Sequence, residues 1–571
     1  VSKQGIFPGW RSARTPLEYA GRRRFVLLGL LSVVFALSWR AVELHVIDGE
    51  FYRSEGDARQ IRALTIPSHR GVISDRNGEP LAISTPVKSV WINPQVSGMD
   101  PVGLDQVAQL LDLRLEPLRS MLQKRAQKSF VYLKRQVSPE LAEQVAQIGV
   151  TGLGLSREYR RFYPSGEVSA HLIGFTDIDH RGQEGLERAY DHQLRGEDGS
   201  ARVVRDGARR VIAHMGHDRA PRDGGNLTLS IDRRLQYLAY RELKSAVIEH
   251  QARSGSAVLM DAHTGEVLAM VNQPAYNPNS RKNLKGNRYR NRAVTDVFEP
   301  GSTVKPFVIA SGLESGQYYP HSKIDTTPGQ WQVGGGTIRD HRDYGVMDLG
   351  LILSKSSNIG AAKIASSMAP ETLWAAFAGL GFGVPTNSGY PGESAGVLPD
   401  FSNWQPLDHA TLGFGYGLST TALQLAQAYS VLAADGYRHL PSVVRVDQPV
   451  EGQQVFSAAT VLEVTTMLEG VVSEEGTGRL AQIPGYRVAG KTGTVRKAEL
   501  GGYSDDRYVA LFAGYAPASA PRLVLVVVVD EPSADVYYGG QVAAPVFARI
   551  MGGALRLLDI SPDALSLRDI S

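Results

Sequence analysis

From Phe25 to Trp39 the chain carries no charge and is strongly apolar, and this run stands directly behind Arg22, Arg23 and Arg24, with Lys3, Arg11 and Arg14 further upstream. A membrane-crossing helix needs ~20 residues. The run reaches that length if Arg40 and Glu43 snorkel while Ala41, Val42 and Leu44 complete it. Residues 25–44 are therefore predicted as a single transmembrane anchor. Basic residues concentrate on the cytoplasmic side of a span, so residues 1–24 are expected inside the cell and everything after the anchor outside. The competing reading is a cleaved signal peptide, with an apolar core of ~7–15 residues and a small-x-small cleavage site. Bulky Trp39 and charged Arg40 after Ser38 speak against cleavage.

The rest of the 571 residues is too long for one ordinary domain. With 43% hydrophobic and 21% charged residues, general disorder, a collagen-like chain and a polytopic membrane protein are excluded. Lys+Arg 61 against Asp+Glu 58 gives a net charge of +3, which implies no nucleic-acid partner. Cysteine is absent, which removes disulfides, thiol catalysis, cysteine-ligated zinc and iron–sulfur clusters. The 13 histidines form no His-Glu-x-x-His pattern, and no Gly-x-Gly-x-x-Gly follows a strand. Neither a metal nor a cofactor is expected.

Residues 45–225 are rich in Arg, Gly and Pro, with short alternating stretches such as Val87 to Ile92, one helical stretch around Val107 to Ala126 and no long buried strand. That texture predicts an extended module of short strands and turns. Asp75-Arg-Asn-Gly78 reads as a hairpin turn between Gly71–Ser74 and Pro80–Ser84. From residue 226 the texture changes. Asp232 is a plausible N-cap for a helix with Leu235, Leu238, Leu243, Ala246 and Val247 on one face. Ser256–Met260, Glu266–Met270, Tyr508–Gly514 and Leu523–Val529 read as strands, the valine run as an interior one. Val542–Leu558 reads as a closing helix. These elements bracket a mostly helical insert, Ser302 to about Glu469, and predict one α/β domain over 226–561 with a sheet layer and an all-α layer. Residues 562–571 are left as a tail.

Three segments carry chemistry. In Glu299-Pro-Gly-Ser302-Thr-Val-Lys305-Pro-Phe, the serine and lysine are three apart, one turn along a helix face, where an amine can take the hydroxyl proton. Proline is tolerated only in a helix's first turn, so Pro306 places the helix start at or close to Ser302. The positive helix end favours an alkoxide, lowers the pKa of a nearby ammonium and offers a backbone N–H to an oxyanion. Ser356-Ser-Asn358 puts a hydroxyl and an amide two residues apart in a loop, suited to proton relay and to holding a substrate amide. Lys491-Thr492-Gly493-Thr494 follows the strand-like Tyr486–Ala489. Gly490 and Gly493 would let an extended peptide lie along the strand edge, with Lys491 and Thr492 attracting a terminal carboxylate. Each pattern alone is weak, and the order of all three outweighs ordinary capping and turn chemistry.

Those motifs, matched at Ser302/Lys305, Ser356/Asn358 and Lys491/Thr492/Gly493, resemble the penicillin-binding, active-site-serine enzymes. Arg70-Gly-Val-Ile-Ser-Asp75-Arg-Asn-Gly78-Glu-Pro-Leu-Ala82, Gly182-Gln-Glu-Gly-Leu-Glu187 and Tyr416-Gly-Leu-Ser-Thr-Thr421 are similar to the class B, high-molecular-mass members. Within these the resemblance is strongest to the cell-division transpeptidases of Gram-negative bacteria, and it covers nearly the whole chain. It implies an N-terminal β-rich pedestal of the dimerisation type over 45–225 and a transpeptidase domain with a central antiparallel sheet and an all-α subdomain.

The resemblance also implies roles. Ser302 attacks the penultimate D-Ala carbonyl of a peptidoglycan stem peptide with Lys305 as base. Ser356 passes the proton to the leaving amine, Asn358 orients the donor and helps to position Lys305, and the backbone N–H groups of Ser302 and Thr494 form the oxyanion hole. β-Lactams mimic the donor and stall as the acyl-enzyme. Tyr508, Tyr537 and Tyr538 are candidates for an aromatic wall, with simple packing as the equal alternative. A SEDS-type glycan polymerase and other division proteins are the implied partners, and the inner membrane, with the catalytic domain periplasmic at the septum, the implied location. An elongation-type class B enzyme or a D,D-carboxypeptidase shares the motifs. A non-catalytic division scaffold or β-lactam sensor is the alternative of a different class, disfavoured by intact Ser302, Lys305 and Lys491.

Overall fold

The computed structural model describes residues 17–97, 101–205, 211–280, 286–448, 450–499 and 502–564. Lys3, Arg11, Arg14 and most of the predicted C-terminal tail lie outside the described residues. The predicted anchor lies on α1 (Leu17–Val42), which runs into a π-helical turn, Glu43–Ile47. Together they give an apolar helix from Ala20 to Ile47, long enough to cross a membrane. Arg40 and Glu43 pair with each other at 2.6 Å, so the two charges at the end of the apolar stretch offset one another.

In chain order there follow α2 (Gly49–Gln60), β1 (Ile61–Ile66), β2 (Ile73–Ser74), β3 (Pro80–Ile92), α3 (Pro101–Leu110), α4 (Leu115–Lys124), β4 (Val131–Val137), α5 (Pro139–Gln147), β5 (Leu153–Phe162), β6 (Gly199–Arg205), β7 (Val211–Arg219) and β8 (Leu227–Thr228). The described residues form two compact units, one within Val1–Pro67 and Asp198–Pro221, the other Ser68–Glu197 with Arg222–Ser571. The first holds the apolar helix and an antiparallel sheet in the order β1-β6-β7.

In the second unit, the strands up to β8 form a sheet in the order β4-β3-β2-β8, with β5 also paired to β3. Two expectations fail here. The single helix around Val107–Ala126 is two, α3 and α4, because Asp112 takes a left-handed φ of 52° and ends the first. The pedestal also contains a long strand, since β3 runs for 13 residues. Pro86 and its polar neighbours mask it in the sequence. The strand tolerates the proline because β2 pairs only Pro80 and Ala82 while β4 begins at Lys88, leaving that side of residue 86 free. Helices α3, α4 and α5 bury Leu104, Val107, Leu118, Leu122, Ala142 and Val145 against Val90, Ile92, Val131 and Leu133.

The Asp75–Gly78 turn joins β2 to β3 as expected, and it does more than close a hairpin. Asp75 Oδ1 accepts from the N–H groups of Asn77 and Glu79, both at 2.8 Å, while Oδ2 accepts from Arg233 N–H at 3.1 Å. Arg76 pairs with Glu266 at 3.0 Å. The hairpin tip is thus docked on the C-terminal α/β domain. Behind it lies a buried ion cluster: Glu187, with a fully buried side chain, takes Arg70 Nε at 2.7 Å and Arg161 Nε at 2.6 Å, and Arg70 also reaches Asp191 at 2.7 Å. Residues of two motifs from the sequence, Arg70 and Gly182–Glu187, therefore meet in the interior.

The C-terminal part adds α6 (Arg233–Glu249), β9 (Ser254–Asp261), β10 (Val267–Gln273), α7 (Lys305–Glu314), α8 (Leu349–Ser354), α9 (Asn358–Ser367), α10 (Ala422–Ala433), α11 (Ala458–Val472), β11 (Ala489–Glu499), β12 (Gly502–Ala516), β13 (Leu523–Asp530) and α12 (Ala544–Leu557). Five strands pair antiparallel in the order β10-β9-β13-β12-β11. Strand β13 is central, and Leu523 to Val529 are buried throughout, as a strand covered on both faces requires. One face packs on α6 and α12 through Leu235, Leu243, Phe547 and Ile550. The other carries the helical layer, whose α10 is buried along its whole length. Asp232 caps α6 by accepting from Arg234 N–H at 2.9 Å, as predicted, a bond worth ~1 kcal/mol. The order leaves β11 at an edge, beside the helical layer.

Candidate active site

Ser302 lies in a 3-10 turn, Gly301–Val304, that leads into α7, with Pro306 at the second helical position. The α-helix proper thus begins at Lys305, one short turn after the predicted start. Thr303 fixes the turn: its hydroxyl donates to Pro300 O at 2.7 Å, and its carbonyl accepts from Tyr429 on α10 at 2.8 Å.

Three elements converge on the Ser302 hydroxyl. Ser356 Oγ stands 3.0 Å from Ser302 Oγ and is shared by two amines, Lys491 Nζ at 3.0 Å and Lys305 Nζ at 3.3 Å. Lys305 also donates to Ser356 O at 2.6 Å and Asn358 Oδ1 at 2.8 Å. The sequence reading had this amine reach Ser302 directly. The structure instead places Ser356 between them, because the Ser356 carbonyl and the Asn358 amide hold Nζ. Ser356 can do so because it adopts a left-handed φ of 60°, a conformation that costs a residue with a side chain ~1–3 kcal/mol and is found at functional sites.

The Ser356–Asn358 segment is braced by a residue that sequence reasoning missed. Asp340 accepts from Ser357 Oγ at 2.5 Å, from Asn358 N–H at 2.5 Å and from Ile359 N–H at 3.2 Å, so its carboxylate caps the start of α9, on which Asn358 stands. No local pattern marks Asp340, since its partners are 17 residues or more away.

Lys491, Thr492, Gly493 and Thr494 lie on the edge strand β11, which starts at Ala489, where the strand-like stretch read from the sequence ended. Thr492 Oγ1 donates to Thr477 Oγ1 at 3.0 Å, and Thr494 Oγ1 accepts from Gly539 N–H at 2.9 Å. The glycines also meet a packing demand within the protein. A Cβ on Gly490 would lie 2.7 Å from the Phe512 ring, and one on Gly493 would lie 3.0 Å from Thr303 Cγ2. Their missing side chains admit neighbouring protein atoms, and Gly493 lets β11 close on the Ser302 turn.

Lys305 and Lys491 are both fully buried. Burial, then the charge of Lys491, pushes the Lys305 amine well below its ordinary value, with Asp340 opposing. Burial alone lowers Lys491 to about 7. A fraction of free amine therefore exists at neutral pH beside two hydroxyls, which is the requirement for proton abstraction from an alcohol.

This burial predicts a stability effect. Below about pH 7 both folded and unfolded chains carry the Lys491 proton and the buried charge costs its full amount; above the ordinary amine value both are neutral and the cost is gone. Lys491→Met is expected to raise the melting temperature by a few degrees at pH 7, with the gain shrinking as the pH climbs towards 10. A melting series over that range checks it. A variant less stable at every pH would refute it.

The serine opens on a groove of about 770 Å³ whose walls include Asp340, Lys355, Asn358, Tyr416, Arg479 and Arg496. The three candidate tyrosines line it together: Tyr508 stacks on Tyr537 at 4.1 Å, and Tyr537 on Tyr538 at 4.5 Å. They form one aromatic wall. Cationic side chains and a strand edge suit the groove to an extended, anionic peptide. Among the described residues no cluster of side chains could hold a metal ion.

Comparison with known proteins agrees with this geometry. Residues 255–552 match the family model "Penicillin binding protein transpeptidase domain", and 65–229 match "Penicillin-binding Protein dimerisation domain". The probable peptidoglycan D,D-transpeptidase PenA of Neisseria meningitidis is 40% identical over 98% of this chain and 97% of its own. The peptidoglycan D,D-transpeptidase FtsI of Escherichia coli K12 is 43% identical over 96% of this chain and 94% of its own. The crystal structure of penicillin-binding protein 3 from Mycobacterium tuberculosis, complexed with aztreonam, is 28% identical and covers 88% of this chain and 98% of that one, with a TM-score of 0.69.

Proposed function

The chain belongs to the penicillin-binding protein transpeptidase family, and we propose that it cross-links peptidoglycan stem peptides at the division septum through an acyl-enzyme on Ser302. It is a class B peptidoglycan D,D-transpeptidase and a β-lactam target. The observation that carries the residue roles is the hydroxyl pair, Ser302 and Ser356 at 3.0 Å, shared with two buried amines.

In the first step Ser302 Oγ attacks the carbonyl carbon of the penultimate D-Ala. Its proton passes to Ser356 Oγ, whose own proton passes to the free amine of Lys305, so the Ser356 hydroxyl ends unchanged, the Ser302 oxygen is bonded to the acyl carbon and the lysine is charged. Lys491 and Thr492 hold the terminal carboxylate, and the N–H groups of Ser302 and Thr494 receive the oxyanion, a contribution of several kcal/mol. As the C–N bond breaks, the proton returns through Ser356 to the departing D-Ala amine. An amine of a neighbouring stem then attacks the ester, gives its proton to the regenerated base, and restores Ser302. A β-lactam acylates the same oxygen, but its leaving amine stays tethered and the ester persists.

The apolar helix Ala20–Ile47 acts as a single-pass anchor in the inner membrane, with residues 45–225 as the pedestal and 226–561 as the periplasmic transpeptidase domain. A SEDS-type glycan polymerase is the partner for the anchor and pedestal. Two measurements test this reading. Nascent glycan incubated with the full chain in detergent should yield cross-linked muropeptides with stoichiometric D-Ala release, and none with Ser302→Ala; D-Ala release without cross-links would instead identify a carboxypeptidase. A fluorescent fusion should band at midcell, and dispersed wall patches would assign the chain to elongation.

A further inference from the structure

Glu299 opens the Ser302 motif, yet the proposed reaction gives it no task. Its segment is paired with the loop that carries Tyr416. Phe298 and Thr420 exchange both backbone hydrogen bonds, at 3.0 and 2.9 Å, and Gly301 N–H donates to Gly415 O at 3.1 Å. Glu299 Oε1 accepts from Gly417 N–H at 2.9 Å in this loop and from the Tyr503 hydroxyl at 3.0 Å. Tyr503 lies near the start of β12, opposite Ala498 on β11. Its ring meets Tyr416 edge-on at 5.3 Å, and Tyr416 lines the groove.

The β11–β12 hairpin therefore meets the Ser302 segment at both its inner and its outer end. At its inner end Gly493 packs on Thr303. At its outer end Tyr503 is held by Glu299. Between them the ladder is irregular at Arg496 to Ala498, a break of the kind that bends a hairpin beside an active site. Arg496 and Tyr508, which line the groove, sit opposite each other at that bend. A hairpin free at its outer end could swing about it and move one wall of the groove.

We propose that Glu299 is a positioning residue: by holding Tyr503, it fixes the outer part of the β11–β12 hairpin against the Ser302 segment and so sets the width of the groove for extended acyl donors. Three facts favour this over simple packing. The carboxylate oxygen is shared between the two structures that bound the groove. The hairpin is irregular between its attachments. Tyr503 is substantially exposed, so packing alone does not hold it in place.

The inference rests on the acyl-enzyme reading, and its test separates the two. Acylation is measured with a compact β-lactam and with one bearing a long peptide-like side chain, in the full chain and in Tyr503→Phe, Glu299→Ala and Glu299→Gln. Tyr503→Phe keeps the ring on Tyr416 and removes only the O–H. It should weaken the long ligand about 10-fold through its dissociation constant, with the acylation rate constant, the compact ligand and the melting temperature unchanged. Glu299→Ala should do the same more strongly, and Glu299→Gln, which keeps an acceptor oxygen, should restore at least half of the lost affinity. Equal losses for both ligands accompanied by a lower melting temperature would overturn the proposal, as would a normal response of Tyr503→Phe to the long ligand. Failure of the wild-type chain to acylate at all would instead sink the catalytic reading.

Discussion

Lys305→Met lowers the rate of β-lactam acylation by about 10³-fold or more, while the protein folds and still binds the drug reversibly. The size follows from what the amine does. A positioned base contributes ~10²–10⁴ to a proton-transfer step, and Lys305 also holds the Ser356 carbonyl and Asn358 Oδ1, at 2.6 and 2.8 Å. Losing it leaves Ser302 without a base and loosens the hydroxyl that links them. Folding survives because the site is fully buried and a methionine of similar length removes an amine that burial disfavours. Stopped-flow acylation with a chromogenic cephalosporin checks this. A loss below tenfold would show that another group takes the Ser302 proton, with Lys491 the next candidate.

The second large effect falls far from the groove. Glu187→Gln should destabilise the protein by ~3–5 kcal/mol, because it leaves the Arg70 and Arg161 guanidiniums facing each other inside the pedestal with one carboxylate fewer. Both arginine side chains are 2% exposed, so water cannot replace the lost charge. The pedestal melting transition should fall by ~8–15 °C. Acylation of Ser302 at low temperature should stay close to wild type, since Glu187 touches nothing in the groove. Calorimetry of the full chain, paired with β-lactam labelling below the transition, separates the effects. An unchanged transition would mean that the cluster contributes little to holding the pedestal together.

These two variants also mark what could be read from residues alone. Ser302 and Lys305 were legible because their relation is local: three positions, one turn and a proline that limits where the helix starts. The valines of β13 were legible because a strand covered on both faces has no polar side to hide. The destination of Lys305 Nζ was legible only in part: the resemblance implied Asn358, and the contacts with Ser356 were not foreseen. It depends on Ser356 taking a left-handed φ and on Asn358 opening α9, whose start is capped by Asp340, a partner brought in by the fold. Likewise Arg70 and Glu187 stand 117 positions apart, and only the packed pedestal shows that two motifs form one ion cluster.

The misread elements have equally physical causes. Pro80–Ser84 and Val87–Ile92 read as separate stretches, yet β3 runs from one to the other through Pro86 because one side of the strand is unpaired there. The Val107–Ala126 periodicity continues across Asp112, but a single left-handed residue turns the chain and starts a new helix. In each case a local pattern was right about the residue and silent about its neighbour.

The central claim is that Ser302 is the oxygen acylated. The full chain is incubated with a β-lactam, digested and analysed by mass spectrometry, alongside Ser302→Ala and Ser356→Ala. The account predicts one adduct of the full drug mass on the peptide containing Ser302, slowed in Ser356→Ala and absent in Ser302→Ala. An adduct on any other peptide, or one that persists in Ser302→Ala, would contradict it.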